Sequence, residues 1–329
     1  MTELDSLTEI VPGVLTSNVN EGTRHALVTT AIGGSYLQDF VEFSLPTWQM
    51  YAHRYGLGII VFSDGSVSEE TLGGLNGAWL KIQLPELVAQ KFPQITRLAL
   101  VDTDIIINPA SPSVFDATPE GYVGLVPELS PEPSRDVESK KRLAFLRRKY
   151  YDSSYPLDSI LFASLEQVYA EEGFEPLNDY FCSGLMVLDV ALSSHFSTWF
   201  EEAKNLDSGR AVFWEQTFLN HRVLTHLPHH WLDRSFQVIW NLEMALFHPS
   251  LYQLGDLSNS EIAENCLADT LNRVHFLHFA GSWPESSAWR NSPQRVMDKM
   301  CGLFEPEFLE YRETPSTGVA KGKISFQPG

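Results

Sequence analysis

Early in the chain, short apolar segments alternate with helical ones, and this alternation limits the fold more than any other feature. His25-Ala-Leu-Val-Thr-Thr30 reads as a short buried strand. Pro46 suits a first helical turn, and the helix it opens ends at Tyr55, with His53 and Arg54 in the last turn and Gly56 just beyond. Gly58-Ile-Ile-Val-Phe-Ser63 is a second strand, stopped by Asp64-Gly65. Trp79 to Phe92 carries Leu80, Leu84, Leu87 and Val88 at helical spacing, with Pro93 after it, and Leu98-Ala-Leu-Val101 is a third strand. Strand, helix, strand, helix, strand predicts an α/β fold with a parallel sheet and crossover helices. Such sheets bind ligands at the carboxyl ends of their strands. Thr29, Thr30, Ser63, Asp64, Asp102 and Asp104 are the polar residues at those ends.

Farther along, Pro127 to Ser134 reads as a loop, helical patterns continue through Glu172, and Gly184 to Asp189 and Val274 to Phe279 read as strands. Residues 1–22 read as a polar lead-in, 23–305 as one domain, and 306–329 as a flexible tail. Lys140 to Lys149 holds six basic residues and no acid. That segment is either a solvated helix face or a basic helix over a cleft that attracts an acidic or phosphorylated ligand.

The 329 residues include 42 acidic and 23 basic side chains, a net charge of −19. That charge argues against nucleic-acid binding, which needs basic surface to displace counterions. No apolar run is long enough for a membrane span, and no secretory signal is visible at the start. Cys182, Cys266 and Cys301 are an odd, scattered set, so reduced thiols and a cytoplasmic location are expected.

The sharpest chemical feature is Asp102-Thr103-Asp104, directly after an apolar strand. In extended backbone, alternate side chains point the same way. Two carboxylates so placed repel each other and form a hard oxygen site for Mn²⁺ or Mg²⁺. The bland alternative is a pair of loop acids capping turns. His275-Phe-Leu-His278-Phe-Ala-Gly281-Ser282-Trp283 puts a histidine near a strand end, able to complete a metal site or simply to pack in the core. In Asp179-Tyr-Phe-Cys-Ser183-Gly184, Ser-Gly before a strand allows close backbone approach to a ligand, or marks a plain turn. Trp214-Glu215-Gln216 opens a helix, where the acid can face a reacting centre or merely complement the helix dipole.

Taken together and in this order, these pieces resemble metal-dependent glycosyltransferases of the GT-A fold, closest to the glycogenin-like members of glycosyltransferase family 8, with family 34 second. Val28-Thr29-Thr30-Ala31-Ile32-Gly33-Gly34-Ser35-Tyr36 is similar to the family's opening strand and uridine-contacting loop. Lys81 matches the lysine of the helix before the DxD strand, and Asp102-Thr103-Asp104 matches the DxD. Asp179 to Gly184 is similar to D-x-F-N-S-G, Glu215-Gln216 sits where the family has Asp-Gln, and His278-Phe-Ala-Gly281 resembles the His-x-x-Gly before K-P-W. Two positions depart: Ser282-Trp283-Pro284-Glu285 lacks the lysine of K-P-W, and Cys182 replaces the asparagine of N-S-G.

The resemblance implies a single GT-A-type catalytic domain with a Rossmann-like, mostly parallel sheet, residues 23–126 forming the nucleotide-binding half and 127–305 the acceptor half. It implies Mn²⁺ or Mg²⁺ on Asp102, Asp104 and His278. It implies a nucleotide-sugar donor, with UDP as the nucleotide, on Thr30, Ile32, Tyr36, Lys81, Thr103, Ser183, Gly184, Gly281 and Ser282. Gln216, Glu215 and Asp179 stand at the reacting centre, and transfer to an acceptor hydroxyl proceeds with retention. Lys81, Arg290 or the 140–149 segment would take over from the missing lysine. Two other readings share some of these features. One is a nucleotide-sugar-binding protein of the same fold without turnover. The other is an aspartyl-nucleophile phosphatase, which wants Thr or Gly where Ile105-Ile-Ile-Asn108 follows the second aspartate.

Overall fold

A computed structural model describes residues 7–129, 135–157, 163–206, 215–281, 284–291 and 293–301. The fold is α/β. Eleven strands are found among these residues: β1 (Thr8–Val11), β2 (Val14–Ser17), β3 (His25–Ala31), β4 (Gly58–Ser63), β5 (Arg97–Val101), β6 (Ile105–Ile107), β7 (Val123–Leu129), β8 (Tyr180–Asp189), β9 (His229–Trp231), β10 (Val238–Ile239) and β11 (Phe276–His278). Eight of them form one sheet in the order β1-β2-β4-β3-β5-β8-β7-β9, and β10-β11-β6 form a second. The three strands read first from sequence make a parallel block, β4-β3-β5, at the centre. On either side the ladder turns antiparallel, β2 on β4 and β8 on β5 and β7, so the sheet is mixed.

Alternation along the central strands sorts their side chains onto two faces. Ala26, Val28, Ile60, Phe62, Leu98 and Leu100 pack against Leu80, Leu84 and Val88 of the helix Leu80–Lys91 and Phe196, Trp199 and Phe200 of the helix Ser193–Ala203. Leu27, Ile59, Val61, Ala99 and Val101 face Leu45, Trp48 and Tyr51 of the helix Leu45–Tyr55. That helix ends where Gly56 turns to a φ of +63°, a left-handed cap that glycine adopts without strain. The small sheet splits its residues in the same way. Ile105, Ile107 and Phe276 join the second layer, while Ile106 and Leu277 join a third with Leu143, Trp240 and Met244.

Several elements differ from the sequence-based expectation. The expected lead-in contains the hairpin β1-β2, which pairs with β4 at the sheet edge. Pro127 lies inside β7, at a shift in register opposite Phe181, where its missing N–H breaks no regular rung. Strand β8 starts at Tyr180, so Ser183 and Gly184 sit within a strand and not in a turn before it. The expected basic face at 140–149 lies on the helix Arg135–Tyr150, and part of it is internal: Lys140 pairs with Glu128 at 2.9 Å and Arg147 with Glu285 at 2.8 Å. The 306–329 tail lies outside the described residues. Among the described residues, no helix is long and apolar enough to cross a membrane.

Candidate functional site

Asp102 and Asp104 join the two sheets. β5 ends at Val101, residues 103–104 form a turn, and β6 begins at Ile105. The Asp102 amide donates to the Gly184 carbonyl at 2.9 Å, and the Phe279 amide donates to the Asp104 carbonyl at 2.9 Å, which ties the turn to both sheets. Antiparallel pairing of β11 with β6 sets His278 opposite Ile105, one residue past Asp104. The two carboxylates therefore meet through a turn, not through the alternation of an extended segment, and the neighbouring strand adds the imidazole. One ligand atom from each of Asp102, Asp104 and His278 lies within 4.8 Å of the others. His278 Nε2 is 3.2 Å from Asp104 Oδ1 and 3.9 Å from Asp102 Oδ2.

Lys81 comes up from the helix beneath. Its Nζ lies 2.6 Å from Asp102 Oδ1 and 2.9 Å from Glu215 Oε1, and it donates to the Ser183 carbonyl at 3.2 Å. Burial alone would lower its pKa, but the two carboxylates outweigh that and raise it, so the ammonium stays charged. Burial likewise works against the His278 imidazolium. The charge and hydrogen bond of Asp104 prevail and hold it well above the usual histidine range. Asp104 is lowered in return, because His278 overcomes the desolvation of its carboxylate.

Three carboxylates against one lysine ammonium leave two negative charges when His278 is neutral. A divalent cation matches that balance. Two carboxylate oxygens and one imidazole nitrogen suit Mn²⁺, because Mg²⁺ prefers an all-oxygen shell. The donor set therefore fits the metal that the resemblance implies.

These groups line a cavity of about 650 Å³, within the roughly 300–1,000 Å³ typical of small-molecule sites. Of the residues expected from sequence, Thr30, Ile32, Tyr36, Lys81, Asp102, Thr103, Asp104, Ser183, Glu215, Gln216, His278 and Gly281 all line it. Gly184 does not line it but packs directly behind His278. A Cβ there would stand 2.8 Å from His278 Cε1 and 2.3 Å from Gln237 Nε2, so only glycine admits the ring. Asp179 also does not line the cavity. It precedes β8 and is half-buried elsewhere, its carbonyl accepting the Tyr169 hydroxyl at 2.9 Å. Ser282, together with Trp283 and Trp214, lies outside the described residues.

Glu215 and Gln216 start the helix Gln216–His226. Glu215 is 4% exposed, and its Oε1 accepts from Lys81 and from the Ser183 hydroxyl. Gln216 Oε1 accepts the Ser183 amide at 3.1 Å, and its Nε2 donates to Glu128 Oε2 at 2.9 Å. Arg290, with 39% of its side chain exposed, reaches the cavity beside Asp39 at 3.7 Å.

Sequence reasoning missed Glu128 and Gln237. Glu128 follows a proline that reads as a loop signal, and Gln237 lies between a single 3₁₀ turn and a two-residue strand. Neither position carries a period or motif that could have marked it.

No family model and no curated protein matches the chain. Among solved structures, the chain is similar to a glycosyltransferase involved in the glycosylation of the major capsid of PBCV-1. The identity is 11% and the TM-score 0.45, over 83% of this chain and 99% of that one. It is also similar to the bifunctional glycosyltransferase WbbM, at 11% identity and a TM-score of 0.47, over 90% of this chain and 53% of that one. The chain thus spans about half of WbbM's length.

Proposed function

We propose that this chain is a glycosyltransferase that depends on a divalent cation, Mn²⁺ in preference to Mg²⁺. It moves a sugar from a nucleotide-sugar donor, with uridine as the nucleoside, to an acceptor hydroxyl with retention of anomeric configuration. The observation that carries this reading is the convergence of Asp102, Asp104 and His278 on one cavity with Glu215 and Gln216. The cavity draws its lining from residues 30–104 and 183–290, in keeping with a nucleotide-binding half at 23–126 and an acceptor half at 127–305.

In the reaction the bond from the anomeric carbon to the diphosphate oxygen breaks. A bond to the acceptor oxygen forms, and the acceptor's proton ends on the released nucleoside diphosphate. A cation on Asp102, Asp104 and His278, when bound, supplies Lewis-acid stabilisation of the departing diphosphate. Lys81 is committed to two carboxylates, and among the described lining residues Arg290, 3.7 Å from Asp39 and partly exposed, is the basic side chain placed to meet a phosphate. Tyr36 and Thr30 border the base. Glu128 and Ser183 hold the Gln216 amide in one orientation, so its dipole is preorganised toward a centre that gains positive charge. Glu215, with Oε1 held by Lys81 and Ser183, keeps that floor rigid.

The test is release of free nucleoside diphosphate from UDP-sugars, in Mn²⁺ and in EDTA. Metal-dependent release supports the reading. Hydrolysis of a phosphomonoester such as p-nitrophenyl phosphate with UDP-sugars left intact favours the phosphatase reading, and donor binding without release favours a binding protein.

A further inference from the structure

The far side of the His278 ring is closed by two side chains that the metal chemistry does not itself call for. Nδ1 lies 3.2 Å from Gln237 Nε2 and 3.9 Å from Cys182 Sγ, and Gln237 Nε2 lies 3.0 Å from the same sulfur. Gln237 is buried. It is fixed by its place just before β10, which pairs in parallel with β11 so that Ile239 stands opposite His278. Gly184, having no Cβ, leaves the space in which the amide and the ring meet.

A histidine that offers Nε2 to a cation carries its proton on Nδ1 and needs an acceptor there. With Nε2 of Gln237 turned to the ring, both groups at that contact are nitrogen. The amide oxygen, Gln237 Oε1, is meanwhile buried with no hydrogen-bond partner. The two ends of a side-chain amide have nearly the same shape, so a half-turn exchanges them in place. After it, Oε1 stands where Nε2 was, within reach of both His278 Nδ1 and the Cys182 thiol. A carbonyl oxygen has two lone pairs, enough for both donors.

We propose that Gln237 is a positioning residue for the metal site. Its amide oxygen accepts the Nδ1 proton of His278 and, through its second lone pair, the Cys182 thiol proton, and so keeps Nε2 free to ligate. This rests on the metal reading of Asp102, Asp104 and His278. The ring itself remains the ligand; Gln237 acts through it.

The experiment is Mn²⁺ binding to the full chain without nucleotide, followed by electron paramagnetic resonance, for wild type, Gln237→Leu and Gln237→Glu. Leucine keeps the bulk and removes the acceptor, whereas glutamate keeps an acceptor oxygen. Gln237→Leu is expected to bind Mn²⁺ about ten- to a hundred-fold more weakly, and Gln237→Glu at least as tightly as wild type. A role in packing alone predicts the reverse order, because leucine is harmless in a buried site and a carboxylate is not. Equal affinity of Gln237→Leu and wild type, or weaker binding by Gln237→Glu than by Gln237→Leu, overturns the proposal. Nitrogen-15 histidine spectra of the wild type with Mg²⁺ bound give a check that needs no variant. A proton on His278 Nδ1 supports the proposal and one on Nε2 overturns it. Wild-type protein that binds no divalent cation overturns the metal reading and this one together, whereas intact wild-type binding with an unaffected Gln237→Leu overturns this one alone.

Discussion

The ammonium of Lys81 lies 2.6 Å from a carboxylate oxygen of Asp102, with only 7% of the lysine side chain exposed. The same nitrogen binds Glu215 at 2.9 Å, so one buried cation joins a candidate metal ligand to the start of the helix Gln216–His226. Replacing it with Lys81→Met strands two acids. Breaking a buried pair from one side costs about 3–5 kcal/mol, and chemical denaturation of the metal-free variant should show a loss of that order. Metal binding should change the other way. Without the ammonium nearby, the site is more negative, and calorimetry should find Mn²⁺ bound more tightly than by wild type. A variant as stable as wild type would show that water, not Lys81, balances these acids.

On the proposed metal reading, protons and the cation compete for His278. Its folded-state pKa lies well above the ordinary 6.5, so its pairing stabilises the metal-free fold fully below about pH 6.5 and is lost as pH rises through the raised value. Asp104 lies below its ordinary 3.8. Its contribution is present above about pH 3.8 and is lost as pH falls through the lowered value. A cation at Nε2 must displace the imidazolium proton. Mn²⁺ affinity should therefore rise steadily as pH is raised from 6 through the elevated His278 pKa, and fluorescence or calorimetric titration at several pH values checks this. An affinity that does not change over that range would remove His278 from the ligand set.

Either Asp102→Asn or Asp104→Asn should abolish sugar transfer and leave the fold in place. Both side chains open onto the cavity, and Lys81 keeps Glu215 as a partner when Asp102 is neutralised. EDTA should inhibit the wild type and Mn²⁺ restore it. Circular dichroism and nucleoside diphosphate release on the same samples separate loss of activity from loss of structure.

The proposed contact of Tyr36 with the base can be read kinetically. Tyr36 is 59% exposed at the cavity rim, so Tyr36→Ala should cost little stability. A contact to the base is made equally in the ground and transition states. Its loss should raise the donor KM more than it lowers kcat, and steady-state kinetics with varied donor provides the comparison.

The central strands and their two helices were legible because each is a local signal: a buried apolar run, or a helical period closed by Gly56 or Pro93. The cluster of Asp102, Asp104 and His278 was legible in its members, but not in how they meet. That depends on the turn at 103–104 and on the register of β11 against β6, which only the folded chain establishes. The link from Lys81 to Asp102 and Glu215, the grip of Glu128 on Gln216, and Gln237 behind His278 are long-range contacts that no spacing encodes. Asp179 is placed differently. Its motif placed it at the reacting centre, but β8 begins immediately after it, and the residue does not line the cavity.

Gln216 and Glu215 are adjacent in sequence but held differently, and that difference separates their expected phenotypes. Gln216 donates to Glu128 and accepts from Ser183, while Glu215 is nearly buried against Lys81. A preorganised amide that stabilises a developing charge acts mainly in the transition state. Gln216→Ala should therefore lower kcat about a hundred- to a thousand-fold, equivalent to roughly 3–4 kcal/mol, with donor and Mn²⁺ affinities close to wild type. Glu215→Ala removes one of the two carboxylates on Lys81 and the acceptor of the Ser183 hydroxyl. It should lower the melting temperature as well as kcat, with Glu215→Gln recovering stability more fully than rate, because the amide oxygen still accepts from Lys81 but carries no charge. Melting temperature, donor affinity and kcat measured on the three variants make the comparison. A Gln216→Ala enzyme with near-normal kcat would take that residue out of the reaction and leave transfer to rest on Asp102, Asp104 and His278.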